Sequence, residues 1–204
     1  MINIFDLGMN KGQCTELLID IMKELKINDY CIYGFEPNNE NFNFCEKKFK
    51  NEKVKCLKLG ISKEKTKLKL FKSDTVDRCG DSIFGDKGNC DETNYEIISV
   101  IKFSDWFNEN IKQEDFNIVK TNIEGAEYFF YNDVIDTGVY KSINIFCGMN
   151  NDPQKIPSLS SKLDAYYKKI EDHGIVVHRF ADLATNKPNF DLSSLVKVLY
   201  LWTK

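Results

Sequence analysis

MINIFDLGMNKG, residues 1–12, is the stretch that decides the fold of this chain. It begins with an apolar run typical of a buried β-strand, and continues through Gly8 and Gly12 into a long amphipathic segment. This order predicts a buried strand, a tight glycine turn and the N-terminus of a helix. A glycine lets ligand atoms approach the backbone, and a helix start offers free N–H groups, so the stretch favours a bound cofactor.

The spacing within this turn indicates which cofactor fits. A dinucleotide site requires G-x-G-x-x-G, which seats a pyrophosphate on the helix N-terminus. Here the pattern is D-x-G-x-x-x-G, and Asn10 stands where a glycine is needed. Asn10 would crowd a pyrophosphate and Asp6 would repel it, whereas Asp6 would attract the ammonium group of an amino acid. The turn therefore favours S-adenosylmethionine over NAD, with Asp6, Gly8, Asn10 and Gly12 as predicted cofactor contacts.

A second strand is expected shortly after the first helix. Residues 14–25 carry apolar side chains at helical spacing, and residues 31–35 form another apolar run. Two such strands must be parallel and joined by a right-handed crossover. Glu36 ends the second strand, 24 residues after Gly12 (36 − 12). A carboxylate there can accept hydrogen bonds from ribose hydroxyls, which predicts a cofactor contact. The alternative is an acidic residue favoured by the dipole of the next helix.

The middle of the chain is predicted to contribute the adenine site and a lid. Two strand-like runs follow at 56–62 and 66–71, and Gly60, Ile61 and Ser62 are expected to close the third strand of the sheet. Ile61 and the Ser62 N–H are therefore predicted adenine contacts. Residues 73–96 are polar, acidic and rich in glycine, which favours a long solvated loop of the kind that forms lids. Its acidic residues lack the spacing of a calcium loop, so no metal site is predicted.

The remaining strands are expected at 97–103, 116–121 and 142–146, with an antiparallel closing pair at 175–180 and 195–202. We therefore predict an α/β, Rossmann-like fold. Its sheet is expected to have seven mostly parallel strands, with one antiparallel closing strand and helices on both faces. Residues 1–204 are predicted to form a single domain, which their length allows.

Three motifs carry a resemblance to a known family. DLGMNKG at 6–12, GFEP at 34–37 and IVKTNIEGAE at 118–127 resemble, in order and approximate separation, the FkbM-type methyltransferases. The resemblance covers about residues 1–150, and its most specific part is the run K-x-[DN]-I-E-G-A-E. It implies a class I methyltransferase fold and S-adenosylmethionine-dependent methyl transfer to a hydroxyl, commonly on a sugar or a natural product. The family usually has Asp where this chain has Asn122, which is otherwise a predicted cofactor contact.

Transfer to a hydroxyl calls for a base that takes the proton. In open α/β sheets ligands lie beyond the carboxyl ends of the strands, so Glu124, just after the fourth sheet strand, is the predicted catalytic residue. Its alternatives are to cap the following helix or to bind the ammonium group of the cofactor. Other candidates for the base are Lys120, Glu127, Asp105 and His178. For Glu127, a structural role in the first helical turn competes.

Composition excludes several classes of protein. A net charge of −3 and a pI near 5.5 argue against a general nucleic-acid binder. No apolar run is long enough to span a bilayer, and no leader pattern precedes the first strand, so we expect a cytoplasmic protein. The seven cysteines are scattered and never form C-x-x-C, which is typical of reduced thiols rather than disulfides or zinc ligands.

The sequence thus predicts an S-adenosylmethionine-dependent O-methyltransferase that acts on a small molecule or a glycan, most often at a sugar hydroxyl. One alternative is a protein of the same fold that binds the cofactor without turnover. It is suggested by Asn122 and by the absence, near Cys147, of the acidic residue that the resemblance leads us to expect. The other is a nicotinamide-dependent oxidoreductase, which Asp6 and Asn10 disfavour. The sequence specifies neither the acceptor hydroxyl nor the oligomeric state.

Overall fold

The computed structural model describes residues 1–75, 79–112 and 114–178. Within these ranges no helix combines the length and the hydrophobicity needed to cross a bilayer. The helices are α1 (Gln13–Glu24), α2 (Asn39–Lys48), α3 (Phe103–Asn110), α4 (Glu127–Asp136) and α5 (Leu163–Asp172). The strands are β1 (Ile2–Leu7), β2 (Tyr30–Phe35), β3 (Val54–Leu57), β4 (Gly60–Ile61), β5 (Thr66–Ser73), β6 (Cys90–Ile101), β7 (Phe116–Thr121), β8 (Ile145–Gly148) and β9 (Val177–His178).

The main sheet has the strand order β3-β2-β1-β7-β8-β9, and all its pairings are parallel. The chain runs outward from β1 to β3 and then returns to place β7 on the other side of β1. The strand order therefore reverses between β1 and β7, which is where open α/β sheets bind their ligands. This architecture confirms the predicted Rossmann-like fold.

Helices cover both faces of the sheet, as predicted. Ile2 and Ile4 of β1 pack with the apolar residues of α1 and with Cys45 and Phe49 at the end of α2. The intervening residues, such as Phe5, point to the opposite face and join a core formed with α3, α4 and α5. This alternation follows from the two-residue period of a strand. Because both faces are buried, β1 reads as a nearly continuous apolar run.

The closing part of the sheet is described only in part. Residues 177–178 form β9 and pair in parallel with β8, within the expected strand at 175–180. The expected antiparallel partner at 195–202 lies outside the described residues. In the part of the chain that the structure describes, the main sheet therefore has six strands and no antiparallel pairing.

The middle of the chain differs from the prediction. Gly60–Ile61 does not close the third strand of the main sheet; it pairs with β6 in a second sheet of order β4-β6-β5. The prediction of a solvated loop over 73–96 is wrong, because residues 90–96 belong to β6. Within the connection, the side chains of Ser82 and Lys87 are buried at 1% and 3% exposure. The small sheet and this connection lie over the carboxyl ends of the main strands.

Candidate active site

A cavity of about 660 Å³ opens at the carboxyl ends of β1, β2, β7 and β8, a volume typical of sites for small molecules. The small sheet and the 79–89 connection form its opposite wall. Six of the predicted site residues line it: Gly8, Asn10, Glu36, Ile61, Asn122 and Glu124. The other three, Asp6, Gly12 and Ser62, are buried beside it and are not among the lining residues.

Glu36 lies directly after β2, buried at 6% exposure in the cavity wall. Its two carboxylate oxygens accept hydrogen bonds from the backbone N–H groups of Asn10 and Asn38, at 2.7 and 2.8 Å. Burial raises the pKa of Glu36 to about 7, although both hydrogen bonds favour its charged form. Each oxygen keeps a further lone pair, so the carboxylate can still accept hydrogen bonds from a ligand.

The two glycines of the turn are required by close packing within the protein, whether or not a ligand is bound. Gly8 has φ +81°, and a Cβ there would lie 1.9 Å from the backbone oxygen of Asn122. A Cβ at Gly12, φ +79°, would lie 2.4 Å from the ring of Phe49. Gly8 thus allows the turn after β1 to approach the turn after β7, and Gly12 allows α1 to approach α2. Only Gly8 also faces the cavity.

Asp6 does not face the cavity; it forms a buried ion pair with Lys120. The Lys120 Nζ lies 2.8 Å from Oδ1, and the Thr15 hydroxyl donates to Oδ2 at 2.7 Å. Burial opposes the charge of Lys120, but Asp6 outweighs it and raises the lysine pKa. Lys120, which also donates to the Gly8 carbonyl and lines the cavity, is therefore held as a cation. This disfavours Lys120 as a base.

The turn after β7 is held by Glu127. Its fully buried carboxylate accepts hydrogen bonds from the N–H groups of Ile123 and Gly125, at 2.6 and 2.8 Å. Burial raises the Glu127 pKa, and the negative charge of Asp152 raises it further. Both oxygens of Glu127 are thus engaged in shaping the turn, which agrees with the structural alternative considered for this residue.

Glu124 lies at the tip of this turn with φ +56°, a left-handed conformation that is uncommon outside glycine. Its carboxylate lines the cavity and forms an ion pair with Lys87, and its backbone oxygen accepts a hydrogen bond from the Ser82 hydroxyl at 2.7 Å. Burial raises the pKa of Glu124, while Lys87 opposes the change. Glu124 therefore joins the main sheet to the 79–89 connection.

Other predicted residues lie elsewhere. Asp105 is exposed on α3, and His178 is exposed in β9; neither lines the cavity. The Ser62 N–H, expected to face adenine, instead donates to the backbone oxygen of Ile101 at 2.8 Å. Ile61 does line the cavity, where it joins an apolar wall with Leu70 and Ile98 of the small sheet.

Two charged residues of the site were not predicted. Lys87 lies in the polar 73–96 segment, and Asp152 follows β8 within another polar run, so neither stands in an apolar pattern that would indicate burial. Both are nevertheless buried, at 3% and 1% exposure, and Asp152 lines the cavity. The acidic residue that was expected near Cys147 is missing there, but Asp152 supplies a carboxylate five residues later (152 − 147). In the described ranges no group of three or more His, Cys, Asp or Glu residues could hold a metal ion.

Comparisons with known proteins identify the family of this chain. A family model described as the methyltransferase FkbM domain matches residues 6–166, well over half of the chain. A similar solved structure is the methyltransferase FkbM from Methylobacillus flagellatus KT, with 13% sequence identity and a TM-score of 0.48. The match covers 83% of this chain and 36% of that one, so this chain spans little more than a third of that protein. No curated protein matches significantly in sequence. By the family match, which includes the β1 turn, Glu36 and the β7 turn, the chain belongs to the FkbM methyltransferase family.

Proposed function

We propose that this protein is an S-adenosylmethionine-dependent O-methyltransferase that methylates a hydroxyl of a sugar in a glycan or glycoconjugate. The observation that carries the proposal is Glu36, a buried carboxylate in the cavity wall that is fixed by two backbone N–H groups. It can accept hydrogen bonds from the ribose hydroxyls of the cofactor. When bound, S-adenosylmethionine supplies an electrophilic methyl group.

The other cavity residues fit the remaining parts of this cofactor. The apolar wall that includes Ile61 suits an adenine ring. Lys120 lines the cavity beside Gly8, to whose carbonyl it donates a hydrogen bond. Its positive charge suits the carboxylate of the methionine part of S-adenosylmethionine. Asp6, which was expected to bind the ammonium group directly, acts through its ion pair with Lys120 in this proposal. Asn10 and Asn122 border the space between these groups.

We further propose that the acceptor of the methyl group is a hydroxyl, and specifically a sugar hydroxyl. The cavity wall includes carboxylates besides Glu36, which suits the hydrogen bonding and the deprotonation of a hydroxyl. Family membership supports methyl transfer, and the resemblance in the three motifs supports a sugar or natural-product acceptor. We place the reaction in the cytoplasm, which the scattered spacing of the seven cysteines supports.

The first experiment is calorimetry with S-adenosylmethionine, S-adenosylhomocysteine and NAD. We expect the first two to bind and NAD to give no heat, because Asn10 stands where a dinucleotide site needs a glycine. Binding of NAD without binding of S-adenosylhomocysteine would support the oxidoreductase alternative instead.

The second experiment measures transfer of a labelled methyl group to a panel of nucleotide sugars and glycans. We expect label in at least one saccharide, and mass spectrometry should then find one added methyl group on native glycans when the protein is present. Tight binding of S-adenosylhomocysteine with no transfer to any acceptor would support the non-catalytic binding protein.

A further inference from the structure

Asp152 is a buried acid that the proposed function leaves without a role. It opens the 3₁₀ turn Asp152–Lys155, which follows β8 at the carboxyl end of the main sheet. Its exposure is 1%, and it lines the cavity together with Glu124 and Lys155. It is close enough to Glu124 and Glu127 for its negative charge to raise the pKa of both.

The carboxylate of Asp152 is incompletely partnered. The Lys155 Nζ lies 2.8 Å from Oδ1, but Oδ2 has no hydrogen-bond partner among the described residues. The Lys155 side chain is 56% exposed, so its interaction with Asp152 is weakened by water. Buried polar groups are normally paired, because leaving one unpaired is costly. An unpaired oxygen in a cavity wall therefore points to a donor on a ligand.

The other carboxylates of the cavity are engaged with the protein. Glu36 accepts two backbone hydrogen bonds, and Glu124 forms an ion pair with the buried Lys87. Asp81 accepts hydrogen bonds from the Ser73 N–H and hydroxyl and from the Asn38 amide. Among the described carboxylates of the cavity wall, only Asp152 has buried oxygens without a hydrogen-bond partner.

We propose that Asp152 is the catalytic base, with its Oδ2 accepting the proton of the acceptor hydroxyl. The inference rests on the proposed function. The acceptor oxygen bonds to the methyl carbon while the methyl–sulfur bond breaks; that bond pair stays on sulfur, which becomes a neutral thioether. The hydroxyl proton passes to Oδ2 and later to water. Glu124, paired with Lys87, is then a positioning residue rather than the base.

The proposal places a negative charge on the side of the cavity where the methyl group is transferred. Such a charge favours the sulfonium of S-adenosylmethionine over the neutral sulfur of S-adenosylhomocysteine. Neutralising Asp152 should therefore reduce the preference for the first ligand without changing the affinity for the second. Removing the Lys155 ammonium should have the opposite effect, because it leaves the charge of Asp152 less compensated.

The experiment compares the dissociation constants of the two ligands by calorimetry in the wild type, Asp152→Asn and Lys155→Gln. The preference is the dissociation constant of S-adenosylhomocysteine divided by that of S-adenosylmethionine. We expect this ratio to fall about three- to 30-fold in Asp152→Asn and to rise in Lys155→Gln. Asp164→Asn, an exposed change in α5, is the matched control and should leave the preference unchanged. Because Lys155 is half exposed, its variant should fold even if Asp152→Asn does not.

An unchanged preference in Asp152→Asn, or a fall in Lys155→Gln, would overturn the assignment while the proposed function stands. A wild type that binds neither ligand would overturn both. Once the panel yields an acceptor, Asp152→Asn should lower kcat about 10²–10⁴-fold at saturating substrates, since general-base catalysis is typically worth that much. Glu124→Gln should lower kcat less than Asp152→Asn; the reverse order would return the role of base to Glu124.

Discussion

Lys120 and Asp6 occupy paired positions on the two central strands, and their side chains meet in an ion pair of 2.8 Å beneath the cavity. The exposure of the two side chains is 7% and 0%. Because water cannot stabilise either charge, each depends on the other. The pair therefore fixes β1 against β7 at the position where the turn after β1 begins.

Lys120→Met should destabilise the fold by about 3–5 kcal/mol, because it leaves the Asp6 carboxylate buried without a counter-charge. Urea unfolding monitored by circular dichroism measures this loss. The double variant Asp6→Asn with Lys120→Met removes both charges and should recover most of the stability. A loss below about 1 kcal/mol in the single variant would show that the charge of Asp6 is compensated by another group.

Gly8→Ala should destabilise the fold by more than about 2 kcal/mol, since the residue has a positive φ and its new Cβ would meet the Asn122 backbone oxygen. Gly88→Ala is the matched control, because no heavy atom lies within 4 Å of a Cβ there. The control should change the stability by less than about 0.5 kcal/mol. Equal melting temperatures for the two variants would contradict the close approach of the two turns.

Glu36→Gln should weaken binding of S-adenosylhomocysteine by about 1.5–3 kcal/mol, or roughly ten- to 150-fold, because a charged acceptor for the ribose is lost. Calorimetry on folded protein measures the change. Glu40→Gln, an exposed residue in the first turn of α2, controls for the loss of one negative charge nearby. If Glu36→Gln binds as tightly as the control, the ribose lies elsewhere.

The raised pKa of Glu36 also predicts a pH dependence of stability. The group titrates near 4.5 when unfolded and at about 7 when folded. Below pH 4.5 it is protonated in both states; between these values only the unfolded state releases its proton. Its contribution to the free energy of unfolding should therefore fall by about 3 kcal/mol from pH 4.5 to 7 and then stay constant. Urea unfolding across this range, as the difference between the wild type and Glu36→Gln, measures this fall; a flat difference would contradict it.

The main sheet could be predicted because burial on both faces leaves a strong pattern in the sequence. The apolar runs at 2–5 and 31–35 have the length and composition of buried parallel strands, and the turn chemistry after each gives their order. The small sheet could not be predicted in the same way. Residues 91–95 of β6 are exposed, so the sequence there shows no alternation between apolar and polar residues.

The candidate site was predicted where a residue follows a strong strand, as Glu36 and Glu124 do. Residues that reach the site from irregular segments were missed, because Lys87 and Asp152 are buried through tertiary contacts rather than through a local pattern. The pairing of Asp6 with Lys120 was missed for a related reason. Their proximity depends on the register of two strands that are more than 100 residues apart.

The separation of the two sheets has a consequence for how the cavity of this protein can be altered. Residues 58–102, from the end of β3 to the start of α3, form the small sheet and the 79–89 connection, and in the described residues none of their strands pairs with the main sheet. This segment can therefore change in sequence without altering the register of β1, β2 and β7, provided that Ser82 and Lys87 still hold Glu124. Because the segment also supplies Ile61, Leu70 and Ile98 to the apolar wall, exchanging it would reshape that wall of the cavity while the turns after β1 and β7 stay in place.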